Sequence, residues 1–215
     1  MQFDKKYTEW YVFLMRYSDF NKSERTRRNI IEKVAPVFNK KGYAATTLSD
    51  MITITGLSKG SIYGNFKDKD EVALSAFEYN ADFVNKNLKS QMQLASTYLE
   101  KLLAYPDTFR KIYKAVLFNG GCPILNTSVD ADDLHQKLHK AVLERIKLWE
   151  STIVDFVEKG MQKGELKTGI DAPKIAQVSI ALVEGGYAMA KVTGEESYIL
   201  NAIDEMERVI FSLKR

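Results

Sequence analysis

From residue 23 onward, apolar residues recur at helical rather than strand spacing. Ile30, Val34 and Phe38 fall four apart, flanked by Ile31 and Ala35, and Ser23 stands where a helix N-cap is expected. Pro36 inside that run predicts a local kink, and Gly42, after Lys40 and Lys41, predicts the stop. Thr47-Leu48-Ser49-Asp50 reads as a capping box opening a second helix, which runs through Met51 and Ile54 to Gly56. Ser58 caps a third helix, Lys59 to Phe66, with Ile62 and Phe66 turned inward. Asp68, with Glu71 three residues on, opens a long fourth helix through Val72, Phe77 and Val84. Two short helices joined by a glycine-containing turn, behind a longer first helix, make a helix-turn-helix.

Past residue 70 no period-two alternation occurs. Breaks are expected near Ser96, Tyr105-Pro106-Asp107 and Gly120-Gly121-Cys122-Pro123. A helix from about Asp130 to Gly160 carries Leu134, Leu138, Val142, Ile146, Trp149, Ile153 and Phe156 on one stripe. Turns at Lys163-Gly164-Glu165 and Lys167-Thr168-Gly169 precede two final helices over roughly 172–192 and 196–213. The pattern predicts an all-α chain with an N-terminal extension (1–22), a helix-turn-helix domain (23–68) and a larger helical domain (69–215). In the extension, Trp10 to Met15 is apolar but too short for a signal peptide, and no small-residue cleavage site follows. The segment reads either as a short appended helix, which is preferred, or as an upstream extension with Met15 as an alternative start.

Composition narrows the class. Of 215 residues, 45% are hydrophobic and 27% charged, which excludes a disordered chain. Cys122 is the lone cysteine, so an internal disulfide framework and a Cys-rich zinc site are both excluded. Apolar stretches fall short of the roughly 18–20 residues that span a bilayer, so a soluble, cytoplasmic protein without a membrane partner is expected. The net charge of +3 hides an asymmetry: residues 1–70 hold 13 Lys and Arg against 8 Asp and Glu, and the remainder holds 18 against 20. The helix-turn-helix lies in the basic third.

Within that third, the Lys59–Phe66 helix is the most informative element. Gly60 and Gly64 each cost roughly 1 kcal/mol against alanine in a helix, so Ile62 and Phe66 must dock it on its neighbours. The glycines give it a low profile, and Lys59, Ser61, Tyr63, Asn65 and Lys67 make its outer side polar and basic, as a major groove requires. An ordinary solvated helix face is the competing reading, and the capped helix and glycine turn before it favour DNA.

Residues 26–72 resemble the DNA-binding domain of TetR-family transcriptional regulators. The likeness rests on the first-helix arginines, Phe38-x-x-x-Gly42-Tyr43, Thr46-Thr47, and Gly56-Leu57-Ser58-x-Gly60-x-x-Tyr63-x-x-Phe66-x-x-Lys69. Asn65 departs from the histidine or tyrosine common there, which leaves base preference open at that position. Residues 120–126, Gly-Gly-Cys-Pro-Ile-Leu-Asn, resemble a subset of the same family. The resemblance implies a helical effector-binding and dimerisation domain behind the helix-turn-helix, and double-stranded, palindromic operator DNA as partner. It also implies phosphate contacts from Thr47 and Lys69 and from Arg27 or Arg28. Lys59, Gly60, Ser61, Tyr63 and Asn65 would face the groove.

The other candidates are weaker. His135 and His139 stand four apart behind Asp132 and Asp133, but no HExxH pattern exists, and two exposed histidines on a charged helix are the expectation. Cys122 reads as a packed small apolar residue rather than a redox sensor. Neither a metal nor a cofactor is expected. Tyr79, Phe83, Tyr113, Phe118, Trp149 and Tyr187 are candidates to line an effector pocket between helices, although aromatics at this spacing commonly serve as core. Ile175, Val178, Leu182, Gly185, Gly186, Val209 and Ile210 suggest a homodimer through the last two helices. The expected function is a ligand-responsive DNA-binding regulator, a repressor released by a small apolar or aromatic effector. A small helical enzyme without a recognisable motif and a helical adaptor are the alternatives, and no GxSxG, P-loop, dinucleotide or HExxH pattern supports an enzyme.

Overall fold

The computed structural model describes residues 21–131 and 135–215; the expected N-terminal appended helix lies outside them, as do Asp132, Asp133 and Leu134. Nine helices are found among the described residues: α1 (Lys22–Ala45), α2 (Leu48–Thr55), α3 (Lys59–Tyr63), α4 (Lys69–Met92), α5 (Tyr98–Phe118), α6 (Pro123–Ala131), α7 (Gln136–Gln162), α8 (Ala172–Thr193) and α9 (Ser197–Ser212). No strand accompanies them there. A single antiparallel bridge, Leu166 to Lys214, ties the chain's end to the turn between α7 and α8.

Capping chemistry sets most helix starts. Asn21, not Ser23, caps α1: its side chain accepts from Glu24 N at 3.0 Å, and the Glu24 carboxylate accepts from Asn21 N at 2.8 Å. Ser23 instead donates its hydroxyl to Asn65 at 3.0 Å. Thr47 and Asp50 form the expected box, Ser58 accepts from Ser61 N, and Asp68 accepts from Glu71 N. α3 stops at Tyr63, earlier than predicted, yet Ile62 and Phe66 are buried.

Neither proline breaks its helix. Backbone angles stay helical through Pro36, and the departure falls at Gly42 (φ 81°, ψ 172°). Pro106 lies buried inside α5 between Tyr105 and Phe109. A mid-helix proline costs about 3 kcal/mol. Burying two large rings beside it contributes about 1.5–3 kcal/mol each, enough to hold the helix together. The expected helix from Asp130 is in fact two, because Pro123 opens α6 and α7 starts afresh after His135. There His135 Nδ1 accepts from Leu138 N at 3.2 Å, so this histidine is a buried cap while His139 alone is exposed.

Two hydrophobic clusters organise the chain. One joins α1–α3, the first three turns of α4, Ala131 of α6 and the first turns of α7; the other joins α5, α8, α9 and the later part of α7. α4 belongs to both, through Val72, Ala76 and Phe77 at one end and Val84, Leu88 and Met92 at the other. Between the clusters runs a polar seam. Asn39 Nδ2 donates to the carbonyls of Asn119 (2.8 Å) and Gly121 (2.9 Å), and Asn126 Nδ2 donates to those of Gly120 (2.9 Å) and Asn39 (3.1 Å). The Asp130 carboxylate accepts from Tyr43 N. Glycines permit this approach: a Cβ at Gly42 would meet Asp130 Oδ1 at 2.7 Å, and one at Gly120 would meet Lys40 Cγ at 2.8 Å.

The Gly185-Gly186 pair divides its work. Gly186 faces inward, where a Cβ would lie 2.8 Å from Ala202 Cβ and 3.1 Å from Ile199 Cα of α9; Gly185 has open space. Gly186 and Ile210 therefore serve packing within the chain, contrary to their expected place at a dimer surface. Gly186→Ala should lower stability, since about 1–3 kcal/mol of overpacking exceeds the ~1 kcal/mol gained in helix propensity. A urea titration that finds Gly186→Ala as stable as the natural chain would show that α8 and α9 can part without penalty.

Candidate nucleic-acid interface and ligand cavity

The helix-turn-helix face presents α3 with Lys59 and Gly60 exposed and Ser61 and Tyr63 half-buried beside the buried Ile62. Gly60 meets nothing nearer than Ser58 Oγ at 3.9 Å, so backbone is available for close approach. Thr47 is exposed at the start of α2, with its N–H and hydroxyl both turned to Asp50 (2.8 and 2.9 Å). Asp50 in turn holds Lys41 at 2.7 Å, and that contact, with the Thr47 bonds, lowers its pKa to about 2. The amides of Leu48 and Ser49 begin the helix without intrahelical acceptors and remain the natural phosphate donors there. Lys69 rests over the Tyr43 ring at 4.3 Å. Tyr43 donates to Asp70 at 2.6 Å, and this hydrogen bond, helped by His135 and Lys137, holds Asp70 near 2.

Two of the sequence-derived contacts have other duties. Arg27 lies over Phe66 at 4.1 Å and donates to Asn65 O (2.6 Å), Glu71 (2.7 Å) and Ser75 (3.3 Å), clamping α1 to the junction of α3 and α4. Asn65 donates to Ser61 O at 2.9 Å and accepts from Ser23. Arg28 pairs with Glu32 along its own helix at 2.8 Å, which leaves it as the first-helix candidate.

In the larger part of the chain, α4–α8 enclose a cavity of about 260 Å³. Trp149 and Tyr187 line it as expected; Tyr79, Phe83, Tyr113 and Phe118 do not. Tyr79 and Phe83 lie on the exposed side of α4, Phe118 is 78% exposed under Lys40, and Tyr113 donates to Glu196 at 2.9 Å. The walls come instead from Leu88, Met92, Tyr105, Phe109 and the Cys122–Ile124 turn. Tyr105 stacks on Trp149 with 6.3 Å between centroids, and Phe109 packs against Trp149 and Tyr187. Residues with the wrong phase on α4 and α5 were chosen because aromatic identity alone does not say which side of a helix faces inward.

The residue that sequence reading missed is Glu184. It sits in the apolar run of α8, one turn before Tyr187, and a lone carboxylate in such a run was the available signal. The Cys122 thiol donates to Glu184 Oε1 at 3.1 Å, while the buried Oε2 has no hydrogen-bond partner. Burial pushes the Glu184 carboxyl up to about 7, against the opposing pull of that thiol. Burial and the neighbouring carboxylate keep Cys122 protonated, which fits a packing role and not a reactive one. Among the described residues no group of three or more metal-binding side chains is present, and no helix is long and apolar enough to cross a membrane.

Comparison with known proteins matches both parts of the chain. Residues 30–76 fit the model of bacterial regulatory proteins of the tetR family, and residues 99–206 fit the tetracyclin repressor-like C-terminal domain. A TetR-family transcriptional regulator from Cytophaga hutchinsonii superposes with a TM-score of 0.84 at 41% identity, covering 91% of this chain and 98% of its own. A TetR regulator from Chloroflexus aurantiacus gives 0.85 at 32%, covering 91% and 99%. In sequence, the transcriptional repressor DhaR of Mycobacterium sp. (strain GP1) is 23% identical over 77% of this chain and 82% of its own length.

Glu184 makes stability depend on pH in a defined direction. Its carboxyl ionises near 4.5 when unfolded and near 7 when folded, so the penalty is absent at low pH. That penalty builds between about pH 4.5 and 7 and is complete above 7, so Glu184→Gln removes up to roughly 3 kcal/mol of it at about pH 8 and almost none at about pH 4. The expected result is a melting temperature above the natural protein's at the higher pH and close to it at the lower. An equal gain at both would mean the carboxyl is not held this way.

Proposed function

This chain belongs to the TetR family of DNA-binding transcriptional regulators, and from that premise we propose that it is a homodimeric repressor released from its operator by a small apolar or aromatic effector. Regulators of this family bind operator DNA and small-molecule effectors and form dimers; they are not enzymes, and the enzyme and adaptor readings give way. The observation that carries the proposal is the pairing of a basic, glycine-bearing α3 with an aromatic cavity, joined by α4 and by the seam. Repression, in particular, is supported by the similar Mycobacterium protein that bears the name repressor.

In this reading Lys59, Gly60, Ser61 and Tyr63 enter the major groove, while Thr47, Arg28 and Lys69 hold phosphates. Two such helices must stand about 34–36 Å apart to reach successive grooves of a palindromic site. α4 begins at Lys69 and ends among cavity residues Leu88 and Met92. α6 offers a second link, since Cys122–Ile124 line the cavity while Asn126 and Asp130 grip α1. An effector that favours one spacing lowers DNA affinity by its differential binding, and operator DNA weakens effector binding to the same extent. Dimerisation is supported by an exposed stripe on α8, Val178, Gly185, Met189 and Val192, at spacings suited to a partner helix.

A gel shift with the DNA flanking the gene tests the reading directly: a discrete complex is expected, and its absence from every flanking fragment would remove the repressor assignment. Tyr63→Ala and Lys69→Ala should weaken that complex without unfolding the protein, and Lys69→Ala should reduce the salt slope by about one. Unchanged affinity and slope in both would take α3 out of the interface. Met189→Glu should convert a dimer to a monomer at micromolar concentration, as read by light scattering, because it buries an unpaired charge at the two-fold. A dimer that survives would move the interface elsewhere.

A further inference from the structure

We propose that the effector is a lipophilic cation: a small apolar or aromatic molecule whose protonated nitrogen pairs with Glu184 while its body lies among Tyr105, Phe109, Trp149 and Tyr187. The proposal rests on the cavity being the effector site, as argued above, and adds the charge of what occupies it.

Three observations carry it. First, Glu184 is a carboxylate in an apolar wall with one thiol, a weak donor, as its partner, and with Oε2 buried and unsatisfied. A buried acceptor left unpaired is costly, and a ligand N–H removes that cost where an apolar molecule cannot. Second, the other cation deep in the wall is already neutralised. Arg145 is gripped by both Glu78 and Asp82, the latter at 2.9 Å, so it brings no free positive charge to receive an acid. Lys89 also borders the cavity, but is solvent-exposed. Third, Glu184 lines the same cavity as the four rings Tyr105, Phe109, Trp149 and Tyr187, and aromatic faces attract a desolvated cation. The Tyr187 hydroxyl and Trp149 indole N–H, both buried without partners, suit an ether, carbonyl or hydroxyl on the same molecule.

The volume, about 260 Å³, falls just below the roughly 300–1,000 Å³ of drug-sized pockets, so the ligand is small. Because the ionised form of Glu184 binds the cation, affinity must rise with pH across the carboxyl's titration near 7, by roughly tenfold between about pH 6 and pH 8. The other titratable groups facing the cavity do not produce this rise. Burial keeps Tyr105, Tyr187 and Cys122 protonated over that range, and Arg145 stays charged.

Calorimetry of the full-length protein with phenylbutylamine, phenylbutanol and phenylbutanoate separates the possibilities, because the three share a body and differ in head charge. At about pH 8 the amine should bind at least about tenfold more tightly than the alcohol, with the acid weakest. Glu184→Gln should bring the amine down to the alcohol's affinity, leave the alcohol unchanged and flatten the pH dependence. If the variant does not fold, as judged by circular dichroism, the pH profile of the natural protein decides the matter alone. An acid that binds as tightly as the amine, or an amine affinity that ignores both pH and Glu184→Gln, overturns the cationic class while leaving the cavity as a site for another ligand. Failure of all three probes to bind overturns the cavity reading and the proposal together.

Discussion

The close approach of the end of α1 to the turn between α5 and α6 is the constraint on which the rest of the molecule depends. Asn39 and Asn126 exchange hydrogen bonds with the backbone of that turn, and Asp130 receives the Tyr43 amide just before the helix-turn-helix begins. If the two sides parted by even an ångström or two, the buried Asn39 amide and the half-buried groups around it would lose their partners, so the seam holds one geometry. Side chains at Gly42 or Gly120 would occupy the space the partners need, and both glycines also take positive φ. This gives the Gly-Gly-Cys-Pro-Ile-Leu-Asn stretch a physical meaning: its first residues make the turn, Cys122 to Ile124 wall the cavity, and Asn126 locks the head in place.

That arrangement puts the cavity wall and a contact to α1 on the same short helix. One end of α6 borders the aromatic cavity and the other touches α1 at Tyr43, four residues before Thr47. α4 runs alongside with its first residue beside the helix-turn-helix and its last turns at the cavity. A displacement at the cavity therefore has two rigid routes to the recognition helix, and neither requires a flexible linker. The Tyr43–Asp70–His135 cluster adds a third tie, since it joins α1, α4 and the cap of α7, with His135 Nε2 3.2 Å from Asp70.

Much of this was legible along the chain, because much of it is local. Capping boxes, the αL glycine after α2 and the turn before α8 act within four or five residues, and their geometry follows from the residues themselves. The polar outer side of α3 was legible for the same reason: Gly60 and its polar neighbours flank the inward Ile62 within a single turn. Where local preference and packing disagreed, packing prevailed. Local preference puts a kink at Pro36 and a break at Pro106, and buried neighbours hold both helices together. Ser23 should have capped α1, but Asn21 with Glu24 completes a box that Ser23 cannot.

What the sequence alone determined was the helical class and the helix-turn-helix, both properties of spacing and of side chains within a turn of one another. Tertiary structure decided which side of each helix meets another. It turned Arg27 inward to brace α3 and α4, buried His135 as a cap, split Gly185 from Gly186, and moved Tyr79, Phe83, Tyr113 and Phe118 away from the cavity. It also brought Cys122 and Glu184, 62 positions apart, to within 3.1 Å in an aromatic chamber. No periodicity encodes that meeting, because it is fixed by where the turn before α6 meets α8, and the energy of a buried carboxylate depends on what surrounds it in space rather than on its neighbours in the chain.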